Sequence, residues 1–144
     1  MEASSRTPAH LWIVGTLATL WNAMGAFDYL MTQTNNEQYL ANFTDPQRIY
    51  FQSFPVWMEA AWALGVWGGL LGSLLLLMRS RHAVTAFAVS LAGLAVSTVY
   101  QYGLSSPPDD LMTGGMIAMN IVIWAAAIGL LLYALRMRRR GVLR

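Results

Sequence analysis

The chain has 144 residues, of which 56% are hydrophobic and only 11% charged, with a net charge of +2. A soluble domain carries about 25% charged residues, so a water-facing enzyme, an extended nucleic-acid binder and a disordered tail are all excluded by composition. There is no cysteine, which removes disulfide scaffolds, thiolate metal sites and iron–sulfur clusters, and all nine basic residues are arginine, which argues against Schiff-base chemistry.

A membrane helix needs about 20 mostly apolar residues, because each adds ~1.5 Å across a ~30 Å hydrocarbon core. Residues 11–31, 54–78, 83–103 and 112–135 meet that requirement. With their connections they use nearly the whole chain and show no convincing internal repeat. The expectation is one domain of the all-α class, an antiparallel four-helix bundle integral to a membrane.

The first stretch follows Arg6, and its Ala23-Met24-Gly25-Ala26 imitates a signal-peptide cleavage site. The apolar run continues through Phe27 to Met31, which favours a retained span. Gly15, Ala18, Asn22, Gly25, Tyr29 and Thr32 recur at steps of three and four, marking a face turned toward other helices. The connection over residues 32–53 is long for so small a protein. Within it, Thr44-Asp45-Pro46-Gln47 has a capping threonine and a proline near the first helical position. A short amphipathic helix is expected at Asp45–Gln52, either as a lid or as filler at the membrane interface. Tyr39, Phe43, Tyr50, Phe51, Phe54, Trp57 and Trp62 fit an interfacial aromatic belt. The glycosylation-like Asn42-Phe43-Thr44 is read as chance.

The second stretch holds Gly65-Val66-Trp67-Gly68-Gly69-Leu70-Leu71-Gly72, with small residues paired four apart. Glycines let helix backbones approach in lipid. Packing inside one chain uses them, and a homodimer through Gly65, Gly68, Gly69 and Gly72 is the alternative. Only Arg79-Ser80-Arg81-His82 separates stretches two and three, so they form a tight hairpin. Ala86, Ser90, Gly93 and Ser97 give the third stretch its small-residue face. Two prolines in Ser105-Ser106-Pro107-Pro108-Asp109-Asp110 end it. The closing Arg136-Met137-Arg138-Arg139-Arg140 reads as an anchor that attracts anionic lipid head groups; no folded basic face for nucleic acid accompanies it.

If the stretches alternate in direction, Arg6, Arg79, Arg81, Arg136, Arg138, Arg139, Arg140 and Arg144 share one side, and only Arg48 lies on the other. The positive-inside bias then predicts both termini in the cytoplasm of a bacterial inner membrane. Glu37, Asp45, Asp109 and Asp110 fall in the outer loops. Polar residues inside the stretches also favour the outer half, which predicts an outward-facing polar chamber above an apolar inner plug. Its candidate ligand- or proton-binding residues are Asp28, Glu59, Asn22, Tyr29, Trp62, Tyr100 and Asn120. Asp28 and Glu59 stand out, because intramembrane carboxylates are costly and tend to be functional. Facing each other, they would share a proton or bind a cation. The structural alternative pairs one with Arg48 and hydrogen-bonds the other to Tyr100. Asn22 and Asn120 have an alternative as interhelical hydrogen-bonding residues. His10 and His82 lack a third ligand and read as interface histidines, not as a metal site. No nucleophile–base constellation is present, so neither an enzyme nor a cofactor is expected.

The segments Leu20-Trp21-Asn22-Ala23-Met24-Gly25-Ala26-Phe27-Asp28-Tyr29, Phe54-Pro55-Val56-Trp57 and Trp62-Ala63-Leu64-Gly65-Val66-Trp67-Gly68 resemble a family of small four-span bacterial inner-membrane proteins often labelled sugar transporters. The likeness extends through Arg140-Gly141-Val142-Leu143. A remoter likeness is to DoxX-like four-helix membrane proteins, through architecture. The resemblance implies four spans and transfers no functional residue. The expected function is binding or transport of a small polar solute or cation. A non-transporting accessory subunit of a larger membrane complex, or a lipid binder, is the rival expectation.

Overall fold

A computed structural model describes residues 6–144, and all regular structure in it is helical. Helix α1 spans Ala9–Gln33, α2 Glu37–Leu40, α3 Asp45–Gln52, α4 Val56–Leu77, α5 Ala83–Val99 and α6 Gly114–Arg139. A π-helical turn, Tyr100–Leu104, prolongs α5, and a single 3-10 turn, Asp109–Leu111, precedes α6. The expected short helix lies at Asp45–Gln52. Thr44 accepts from the Gln47 amide while Gln47 accepts from the Thr44 amide, a reciprocal cap that satisfies two otherwise orphaned donors.

Three of the long helices stop in the same way. After α1, α4 and α6 the chain enters the left-handed region at Asn35 (φ 51°), Arg79 (φ 58°) and Gly141 (φ 71°). The next amides, of Asn36, Ser80 and Val142, return to the carbonyls of Met31, Leu75 and Met137 at 3.0, 2.8 and 3.0 Å. This 6→1 closure satisfies the last carbonyls of each helix. Asparagine and glycine tolerate that conformation; Arg79 does so against its side-chain preference.

Length and composition qualify α4, the run Ala83–Leu104 and α6 to cross a membrane. Three of the four expected stretches therefore qualify. Helix α1 has 25 residues, but Asn22, Asp28 and its polar last turn dilute its apolar character.

Glycine determines how α4 packs. A Cβ at Gly93 on α5 would lie 2.5 Å from the Ala61 carbonyl oxygen and 2.6 Å from the Gly65 nitrogen, so the two backbones touch there. Gly68 approaches the Ser90 backbone and Gly72 the Phe87 ring. The Ser90 hydroxyl donates to the Gly65 carbonyl at 2.6 Å. The neighbouring face of α4 takes α1, with Leu77 against Gly15 and Gly69 against Asn22. Gly65, Gly68, Gly69 and Gly72 thus all serve packing inside one chain, although Gly68 also borders an outer groove of the α4–α5 pair.

The helix ends gather at one pole, where Leu11, Leu76, Ala83, Val84, Phe87, Ala134, Met137, Val142 and Leu143 form a buried apolar cluster. The tail closes it: the Arg144 amide donates to the Arg79 carbonyl at 2.8 Å and the Arg81 amide to the Arg144 carbonyl at 3.0 Å. This is the arginine pole. Away from it α6 leans mainly on α5, and none of its most apolar stretch is buried within the protein.

Candidate functional site

The opposite pole is aromatic. Helices α2 and α3 lie over it and are tied to three different segments. The Tyr39 hydroxyl donates to Asp28 on α1. The Thr44 hydroxyl donates to Asp110 of the 3-10 turn at 2.8 Å, and the Tyr50 hydroxyl pairs with the Ser105 hydroxyl at 2.8 Å. The second Asp110 oxygen is buried without a partner.

Beneath this strap the rings interlock edge to face. Phe54 is the hub, with centroids 5.2 Å from Tyr50, 5.5 Å from Tyr100 and 6.1 Å from Trp62. Trp57 adds to Tyr100 at 5.4 Å, and Tyr29 to Trp62 at 5.0 Å. Edge-to-face geometry sets the positive rim of one ring on the negative face of the next, worth about 0.5–1.5 kcal/mol per pair beyond burial.

The residues expected to line one chamber are distributed over three places. Tyr29, Trp62 and Tyr100 belong to the ring cluster. Asn22 is wedged between α1 and α4, where its amide donates to the Ser73 hydroxyl at 3.0 Å and to the Ala18 carbonyl at 2.9 Å. Asn120 lies across the molecule, in a crevice of about 440 Å³ between α5 and α6 that Thr98, Tyr102 and Trp124 also line. There its amide donates to the Tyr102 hydroxyl at 2.8 Å, and the Trp124 indole donates to Thr98 at 3.1 Å. The lean of α6 keeps Asn120 apart from Asn22.

The two carboxylates within the long helices, Asp28 and Glu59, have separate surroundings. Asp28 is half-buried and takes the Tyr39 phenol; neither acid meets Arg48, since no ion pair forms among the described residues. Glu59 is half-buried and has no hydrogen bond or ion pair among the described residues. The register of α1 on α4, with Asn22 at Ser73 and Tyr29 at Trp62, sets Glu59 roughly 6–12 Å nearer the aromatic pole than Asp28.

Tyr39 and its acid were not paired by sequence reasoning. The only signal was that Tyr39 follows α1 by a short turn, while the belt reading already accounted for it. Burial, then the hydrogen bond to Asp28 and that carboxylate's charge, push the Tyr39 phenol far above its usual range near 10. Burial also raises Tyr50, with further help from Tyr100 and Tyr102, while its bond to Ser105 opposes the rise. The folded strap therefore holds the Tyr39 proton more tightly than the unfolded chain does. Its contribution is complete below about pH 10 and is lost as pH rises through the higher folded value. An alkaline titration read at tyrosine absorbance is expected to show Tyr39 ionising last, after the less strongly raised Tyr50, and Tyr39→Phe to delete that final step.

Asn22 offers a milder test. Asn22→Ala removes one interhelical bond, worth about 0.6 kcal/mol on average in membranes. Unfolding in detergent is expected to show a loss of that order, well below that of a core truncation.

His10 pairs with the Tyr133 hydroxyl, tying α1 to α6 at the arginine pole. Comparison with protein-family models, curated proteins and solved structures finds no match for this chain.

Proposed function

We propose that the chain is a four-span protein of a bacterial inner membrane, and that it binds a small polar solute at the aromatic pole and moves it across. In this reading α1 is the fourth span, both termini are cytoplasmic and the aromatic pole faces outward. The arginine distribution supports that orientation, since eight of the nine lie on segments meeting at one pole. The polar side chains that weaken α1 as a span are engaged by the protein itself, Asn22 by Ser73 and Asp28 by Tyr39. The four-span resemblance agrees with this count.

The observation that carries the functional reading is Glu59. A carboxylate near the end of an apolar helix, half-buried and without a protein partner, is available to a proton, a cation or a solute hydroxyl. Aromatic rings beside it suit the apolar face of a sugar or the charge of an amine. A thermal-shift screen of sugars, amines and amino acids tests the reading, because a ligand that binds only the folded state raises its melting temperature. Uptake of the hit into proteoliposomes is expected to depend on pH. A screen without hits, together with vesicles that take up none of these solutes, overturns it.

One observation favours a second reading. The bare flank of α6 would suit a helix of a larger membrane complex, making the chain an accessory subunit. Purification in mild detergent that always brings down one large partner in equal amount supports that reading instead.

A further inference from the structure

A groove of about 760 Å³ runs along the outside of the α4–α5 pair. Small residues, Ala63, Gly68 and Ala86, lie along it, and the exposed side chains of Leu64 and Trp67 project beside it. On α4 it extends from Ala60 to Leu75, about 22 Å at helical rise. That exceeds half of a ~30 Å hydrocarbon core. At one end it is lined by His82, in the turn that also carries Arg79 and Arg81.

That end is rich in arginine, with Arg79 and Arg81 in the turn beside it. The carboxylates of the described residues, Asp28, Glu37, Asp45, Glu59, Asp109 and Asp110, lie on segments of the aromatic half, and no ion pair neutralises an arginine among the described residues. The turn is also held in place: the backbone bonds joining Arg79 and Arg81 to Arg144 fix it against the tail, and Val142 and Leu143 anchor that tail in the buried cluster. A preorganised cationic head at the end of an apolar slot on two membrane-crossing helices matches one molecule in both parts.

We propose that this groove is a binding site for an anionic phospholipid, with an acyl chain along α4–α5 and the phosphate group at Arg79, Arg81 and His82. The assignment needs only that α4 and α5 are embedded in lipid, and is independent of any solute at the aromatic pole. A zwitterionic lipid fits the slot equally but returns a positive charge to the arginines.

The test uses the full chain in detergent, titrated with phosphatidylglycerol or phosphatidylcholine of identical chains and read by native mass spectrometry. Phosphatidylglycerol is expected to bind more tightly. Arg79→Gln and Arg81→Gln are each expected to reduce that preference by about fivefold, while Arg48→Gln, away from the arginine pole, leaves it unchanged. Ala63→Phe fills the slot and is expected to weaken both lipids, with helicity unchanged by circular dichroism. Equal affinity for the two lipids overturns the proposal, as does a preference that survives both arginine substitutions or binding untouched by Ala63→Phe. Competition by glycerol phosphate as strong as by the whole lipid also overturns it, since the slot then contributes nothing. So does a dimer that forms on delipidation and is lost in Ala63→Phe, because the groove then belongs to a second copy.

Discussion

Gly93→Ala is expected to be among the most damaging single-methyl changes in this protein, lowering stability by about 2 kcal/mol or more. The added carbon would sit 2.5 Å from the Ala61 carbonyl and 2.6 Å from the Gly65 nitrogen. Both obstacles are backbone, so no side chain can swing away, and α5 must back off from α4 along the glycine-lined seam. Overpacking of this kind costs about 1–3 kcal/mol even where side chains can yield. Gly25→Ala is the control, because nothing lies within 4 Å of its Cβ position. It is expected to be neutral or slightly stabilising, as alanine is the better helix former. Thermal unfolding of both variants in the same detergent separates backbone contact from propensity. Equal melting temperatures would show that the two helices do not meet at Gly93.

Glu59→Gln is the second large effect, and it falls on function. The side chain has no protein partner to lose among the described residues, so the melting temperature is expected to hold or rise. Ligand affinity is expected to drop tenfold or more, the scale of a lost charged hydrogen bond of about 1.5–3 kcal/mol, and the pH dependence of uptake to disappear. Asp28→Asn should behave differently. It removes the charge that holds the Tyr39 phenol, so the strap formed by α2 and α3 is expected to loosen first. Hydrogen exchange and limited proteolysis over residues 34–55 would rise, with ligand affinity changing less than in Glu59→Gln. If Glu59→Gln binds and transports normally, the solute reading at this pole fails.

The helices were largely legible from hydropathy alone. The third stretch begins at residue 83 as expected, the others begin and end within four residues of expectation, and α3 coincides with the segment its capping signal marked. Those features are local, set by apolar run length and by side chains three residues apart. The π turn at Tyr100–Leu104 and the short α2 carried no such signal. The candidate site was legible only as an inventory. Asn120 and Asn22 both sit in the halves of their stretches expected to face outward, yet one meets Tyr102 and the other Ser73.

The sequence by itself determined that this chain carries helices long and apolar enough to cross a membrane, how they are spaced along it, and that its charges separate by sign along the chain. Those properties depend on totals and on sequence distance. Only the tertiary structure decided which helix each polar side chain meets, because that depends on rotation about every helix axis and on how far α6 leans. The same geometry spent the α4 glycines on α5 and α1, closed the arginine pole with the chain's own tail, and left Glu59 without a partner among the described residues.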